Sequence, residues 1–188
     1  MHIRVKKQKG LVGLGISKIF KDKKWMLISL IIGGVIMALL SLDQRVVFIN
    51  LTGSLPRGIY VAVPYTSIRS DDIVAYRPPE DVMKFAFDRG YAPFPDMTFM
   101  KKVAAVSGDF YSVSMDLDFK VNGKSLGKAY RLDRLDREMP LQMGLHMVPD
   151  GHFLPYGTAD RSLDGRYFGT VSQDRVIAKV IPLAVEFW

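Results

Sequence analysis

Asn50-Leu51-Thr52-Gly53-Ser54-Leu55-Pro56-Arg57-Gly58-Ile59-Tyr60 is the stretch on which the reading of this chain turns. One long apolar segment lies ahead of it, and nearly all of the candidate strands lie behind it. At its centre a small hydroxyl residue, Ser54, stands between a glycine and a Leu-Pro pair. Gly53 permits close approach of the backbone to another group, and Pro56 stiffens the exit. Taken alone, such a stretch is a turn. Whether Ser54 does chemistry depends on the rest of the chain.

At 188 residues the chain fits one domain with an appendage, and it is long enough to bury a core without cross-links. It has no cysteine, which excludes disulfides, thiolate metal sites and cysteine nucleophiles. The net charge of +7 is local: residues 1–24 carry eight basic side chains and one acidic one, whereas residues 25–188 carry 18 of each. A neutral body argues against a nucleic-acid-binding domain, which would carry a basic face of its own. Nothing in the sequence calls for a cofactor.

Residues 1–24 read as a basic, solvated tail, with a short amphipathic helix on an anionic leaflet as the other reading. Residues 25–42 (WMLISLIIGGVIMALLSL) carry no charge. At ~1.5 Å per residue they reach ~27 Å, close to the hydrocarbon thickness of a bilayer. They are apolar on every face, with Trp25 at one end, where interfacial aromatics sit. No small-x-small cleavage site follows, so the segment is read as an uncleaved transmembrane anchor rather than a cleaved signal. The basic tail then stays cytoplasmic, and residues 43–188 form a domain on the periplasmic side of the inner membrane, with membrane lipid as a partner.

From Asp43 onward the pattern is mainly β. Val46–Ile49, Gly58–Val63, Asp71–Tyr76 and Phe99–Val106 read as strands bounded by proline and glycine. Residues 80–90 (EDVMKFAFDRG) suggest a short helix with Val82, Phe85 and Ala86 on one face. Tyr91–Pro95 is an aromatic-proline surface loop. Asn122-Gly123 predicts a hairpin turn within residues 110–130. Residues 131–138 (RLDRLDRE) read as a solvated loop, 162–169 as turn-rich, and Val176–Val180 and Leu183–Phe187 as two closing strands.

The histidines His2, His146 and His152 lie in no recognisable motif, and three-ligand metal spacing is absent, so no metal site is expected. A serine can instead be activated by a lysine kept neutral by burial, because desolvation disfavours the ammonium. A lysine inside an apolar strand is the pattern such a base leaves, although a lysine on an exposed edge strand leaves the same one. Phe99–Val106 contains two, Lys101 and Lys102, and strand alternation points them to opposite faces. Periodicity alone does not choose between them.

Three blocks behind an N-terminal anchor, TGSLPRGIY, FMKKVAAVSGD and SLDGRYFG, together resemble the type I signal peptidases (leader peptidases), membrane-anchored serine–lysine endopeptidases. The wording around Ser54 and the short chain look most like the conjugative-transfer branch, the TraF type, which processes pilin precursors. The resemblance implies a signal-peptidase-like β domain following one transmembrane helix. It implies Ser54 as nucleophile and Lys101 as general base. It further implies Thr52 and the Ser54 amide as the oxyanion hole, Ser162 as the residue that orients the lysine, and Asp164 with Arg166 as a structural salt bridge.

The departures from that pattern are Ala105 and Ser107 in the lysine box, Gly165 in the last box, and a reduced run Gly157-Thr158-Ala159-Asp160-Arg161 before it. None removes the serine or the lysine. The function implied is processing of an exported precursor protein, a propilin or a signal-peptide-bearing protein, by a membrane-bound serine endopeptidase. A general signal peptidase is the alternative within enzymes, and a non-catalytic scaffold of a secretion apparatus is the alternative outside them. A self-cleaving repressor of serine–lysine type fits poorly with an anchor.

Overall fold

The structure, a computed structural model, describes residues 23–41 and 46–186, with the backbone alone at 38–41. The chain divides into two units after Asp43. In the first, helix α1 (Lys23–Ser41) follows the long apolar run, and its described large apolar side chains from Trp25 to Met37 are all exposed. The segment expected to span a bilayer is therefore helical. Among the described residues, however, no helix is long and apolar enough to cross a membrane. Residues 1–22 of the expected tail, and Leu42, lie outside the described residues.

The second unit is mainly β, as its sequence pattern predicts. A seven-stranded sheet contains β1 (Val47–Asn50), β2 (Gly58–Val63), β3 (Ile73–Tyr76), β4 (Phe99–Val106), β9 (His152–Tyr156), β10 (Val171–Ser172) and β11 (Val176–Val185). Its spatial order is β1-β2-β11-β3-β4-β9-β10. A second sheet holds β5 (Phe110–Val113), β6 (Asp118–Val121), β7 (Lys124–Lys128) and β8 (Gly144–Met147) in the order β7-β6-β5-β8. The described strand pairs are all antiparallel. Asn122 and Gly123 form the two-residue β6–β7 turn, with φ of 48° and 80°, the left-handed pair such a turn requires.

The two strands expected at Val176–Val180 and Leu183–Phe187 are instead one long strand, β11 (Val176–Val185), and Phe187 lies outside the described residues. Its first half pairs with β3 and its second with β2, and the register shifts between Pro182 and Ala184. Pro182 has no N–H to give the ladder, so the sequence breaks there while the strand bends and continues.

Alternation along the strands fills the core. On β4, Lys101, Val103 and Ala105 point inward, and Lys102, Ala104 and Val106 are half-buried. Val103 packs with Val74, Tyr76, Phe153 and Val171, while Ala105 and Leu154 join the two sheets by packing against Tyr111, Val113, Phe119 and Val148. Full burial of each large apolar side chain here stabilises the fold by roughly 2–3 kcal/mol, which is what makes a charged head group among them costly.

Helix α2 (Glu80–Asp88) starts after Pro79 and ends before Gly90, whose φ of 73° no helix continues. It buries Val82, Met83 and Ala86. Phe85, expected among them, is half-buried and instead meets Phe168 edge-on at 5.0 Å, with the Arg89 guanidinium 4.2 Å from its ring centroid. Leu163 packs against the Met83–Ala86 cluster. Through Leu163 and Phe168, α2 supports the segment that carries Ser162 and the one-turn helix α3 (Gly165–Phe168).

Candidate active site

Three separate pieces of chain meet around Ser54: the turn between β1 and β2, the middle of β4, and the segment between β9 and α3. The turn is organised by Asn50, the last residue of β1 and only 5% exposed. Its Nδ2 donates to the carbonyls of Leu55 (2.9 Å) and Pro56 (3.1 Å), and its Oδ1 accepts from the Thr52 N–H (3.2 Å) and the Thr52 hydroxyl (2.8 Å). Tyr60 Oη adds a 2.7 Å bond to the Pro56 carbonyl, and Leu55 is buried. The turn is therefore tied at both ends, and Ser54 is left half-buried at its apex. Its Oγ lies 3.0 Å from Thr52 Oγ1.

Lys101 sits opposite Val74 in the β3–β4 register and is 5% exposed. Its Nζ donates to Ser162 Oγ at 2.7 Å. Burial pushes its pKa down from the ordinary 10.5 to about 8. The nearby Asp164 carboxylate works against that shift, and Arg166 adds to it. An amine with that affinity is neutral in about a tenth of molecules at pH 7 and in half of them near pH 8, so it can take a proton and return it. Lys102, on the other face, pairs with Asp71 at 2.8 Å and is partly exposed. The two lysines between which alternation could not choose therefore differ in burial and partner.

Gly157 is the piece that joins these groups. A methyl group at this position would lie 1.9 Å from Ser162 Oγ and 3.1 Å from Ser54 Cβ. Ser54 and Ser162 are thus neighbours across a position where no Cβ fits. The Ser54 carbonyl is held from the same side, accepting from the Thr158 N–H (2.8 Å) and the Thr158 hydroxyl (3.3 Å). Lys101, bonded to Ser162, thus lies on the side of the Ser54 turn that Gly157 faces, while the hydrogen bond that Ser54 Oγ makes is to Thr52 Oγ1.

Behind the lysine lies a buried ion pair. Asp164, which caps α3, accepts from Arg166 Nε (2.9 Å), Arg166 Nη2 (2.7 Å) and the Arg166 N–H (3.1 Å) through its two oxygens, and from the Gly157 N–H at 2.8 Å. Both side chains are essentially inaccessible. The remaining Arg166 donors go to the carbonyls of Gly157, Ala159, Asp160 and Lys128. One guanidinium thus gathers the 157–160 loop that faces Ser54. Gly165 is accounted for by packing: a Cβ there would come within 2.5 Å of Leu154 Cδ1 and 2.8 Å of the Pro155 carbonyl oxygen. Of the other departures, Ala105 is fully buried at the register shift between β4 and β9, and Ser107 bonds Asp150 on the surface.

Sequence reasoning gave no task to Asn50 or Gly157. An asparagine at the head of a turn was the available signal for the first. For the second, the signal was a glycine left standing where the neighbouring run departs from the family pattern.

A family model described as "Signal peptidase, peptidase S26" matches residues 20–184. The plasmid transfer protein TraF of Escherichia coli is 29% identical over 145 residues, covering 72% of this chain and 81% of its own. A crystal structure of a signal peptidase I from Enterococcus faecalis is 21% identical, covers 62% of this chain and 98% of its own, and superposes with a TM-score of 0.38, a likeness too slight to argue from.

Proposed function

The chain belongs to the signal peptidase family, peptidase S26, and from that premise we propose that it is a membrane-bound serine endopeptidase in which Ser54 and Lys101 form the catalytic dyad. The observation that carries this reading is Lys101 itself: buried, its pKa lowered to about 8, and bonded to Ser162 beside Ser54.

Neutral Lys101 would take the Ser54 proton as Oγ attacks the scissile carbonyl, and the carbonyl electron pair would move onto oxygen. The Ser54 amide and Thr52 would receive that oxyanion, each such donor contributing roughly 3 kcal/mol to the transition state. The protonated lysine would give its proton to the leaving amine, and the acyl group would remain on Ser54. Lys101, neutral again, would deprotonate the water that releases the acyl group. Ser162 would hold the amine in place, and the Asp164–Arg166 pair would hold the loop.

The substrate in this reading is an exported precursor, a propilin of a conjugative transfer system, supported by the likeness to the plasmid transfer protein TraF. The chain would be organised as a cytoplasmic tail over 1–24, an anchor over 25–42 in the inner membrane and a periplasmic peptidase domain over 43–188. The exposed apolar side chains of α1 and the excess of basic residues before it support this. So does the outward apolar face of β1, β2 and β11, formed by Val47, Ile49, Ile59 and Ile181.

The test follows precursor processing by full-length variants. Ser54→Ala and Lys101→Ala should both stop it, and Lys102→Ala should not. Processing that survives both of the first two would overturn the dyad, and a dead Lys102→Ala beside an active Lys101→Ala would move the base to the other face.

A further inference from the structure

Asn50 is buried, four residues ahead of Ser54, and its whole hydrogen-bonding capacity is spent inside the turn. Its bonds also fix the direction of the hydroxyl pair beside it. Backbone carbonyls only accept, so the atom facing Leu55 O and Pro56 O must be the Asn50 amide nitrogen. The atom facing Thr52 is then the amide oxygen, which only accepts, so the Thr52 hydroxyl must donate to it at 2.8 Å. A hydroxyl has one proton. With that proton committed to Asn50, Thr52 Oγ1 presents a lone pair to Ser54 Oγ at 3.0 Å, and Ser54 is the donor of that bond.

In the resting site, therefore, the Ser54 proton points at Thr52, and Thr52 has no proton to offer an oxyanion. We propose that Asn50 is a positioning residue that sets the direction of the Thr52–Ser54 hydroxyl pair, so that Thr52 becomes an oxyanion donor only after its hydroxyl turns away from the Asn50 amide oxygen. The proposal rests on Ser54 being the nucleophile. In the reaction the Ser54 proton leaves Thr52 for the Lys101 lone pair as the Oγ–C bond forms. The carbonyl π electrons pass to oxygen, and the Thr52 hydroxyl rotates from Asn50 Oδ1 to that oxygen. Asn50 Oδ1 keeps its second partner, the Thr52 N–H at 3.2 Å, so it is not left unpaired by the rotation.

The experiment measures kcat and KM of the full-length protein in detergent on a quenched-fluorescence peptide with alanines before the scissile bond. Thr52→Val should lower kcat by about 100-fold with KM little changed, and Thr52→Ser should restore most of it, the behaviour of an oxyanion donor. Asn50→Asp keeps the acceptor, now charged, and loses both donors. It should lower kcat by about tenfold or more in the wild type, yet by no more than about threefold in the Thr52→Val background, because coupled residues are non-additive. Multiplicative losses in the double variant would overturn the proposal, as would an Asn50→Asp variant with altered melting and unchanged kcat. If Asn50→Asp does not fold, equal activity of Thr52→Val and Thr52→Ser still overturns it. Ser54→Ala separates the two levels: residual turnover there refutes the nucleophile, whereas complete loss with multiplicative Asn50 and Thr52 effects refutes only the role of Asn50.

Discussion

Lys101 Nζ donates a 2.7 Å hydrogen bond to Ser162 Oγ, and both residues are 5% exposed. A buried amine with a single neutral hydroxyl partner has its charge poorly solvated, and the result is a pKa lowered to about 8. If the lysine must be neutral to act, kcat/KM should rise with pH and level off above an apparent pKa of about 8. A pH–rate profile measures this. Removing the partner with Ser162→Ala should lower kcat by about tenfold, the worth of one orienting hydrogen bond to a reacting group, and leave KM nearly constant.

The same burial makes stability depend on pH. The unfolded chain holds the Lys101 proton up to the ordinary pKa of 10.5, the folded chain only to about 8, so in between the unfolded state binds more protons. Stability should therefore rise with pH from about 8 toward 10.5. Buried tyrosines such as Tyr111 and Tyr167, whose pKa values burial raises above 10.0, oppose this at the upper end. Lys101→Met should lose the rise, and melting temperatures of both proteins from pH 7 to pH 10 would show the difference. Parallel curves would mean that Lys101 is not held below its ordinary pKa.

Gly157→Ala should abolish turnover, because the added carbon falls 1.9 Å from Ser162 Oγ and 3.1 Å from Ser54 Cβ. Something must shift, and the atoms nearest are those of the site. Losses in kcat of more than about 100-fold are expected from so small a displacement. Gly53→Ala is the control, since a Cβ there meets nothing within 4 Å.

Asp164 and Arg166 should matter through the fold. Asp164→Ala leaves a guanidinium buried without its carboxylate and should destabilise the domain by about 3–5 kcal/mol, read by chemical denaturation. Lys102→Ala breaks a partly exposed pair with Asp71 and should cost no more than about 1 kcal/mol. A Lys102 variant as damaging as the Asp164 one would contradict this division.

The β character of the domain was legible because strands such as β2 and β4 carry their alternation and their proline and glycine boundaries in the sequence itself. β4 also shows where legibility stops. Alternation separates Lys101 from Lys102 but carries no sign, and only the packing of Val103 and Ala105 against β9 and the second sheet says which face is inner. Asn50 was invisible for a related reason. An asparagine before a turn satisfies its own turn in most chains, and nothing local says that this one also fixes a hydroxyl proton. Gly157 matters through its closeness both to Ser162 in the same segment and to Ser54, which lies more than a hundred residues earlier in the chain. The break at Pro182 misled in the other direction, since a proline that interrupts a ladder does not always end a strand.

The most direct test of the central claim is the site of acylation. The full-length protein is mixed with an activated ester of an alanine-ending peptide, quenched in acid, digested and mapped by mass spectrometry. The Ser54–Lys101 reading predicts the acyl group on Ser54 and its loss in Lys101→Ala. Acylation of Thr52 or Ser162 with Ser54 unmodified would contradict it.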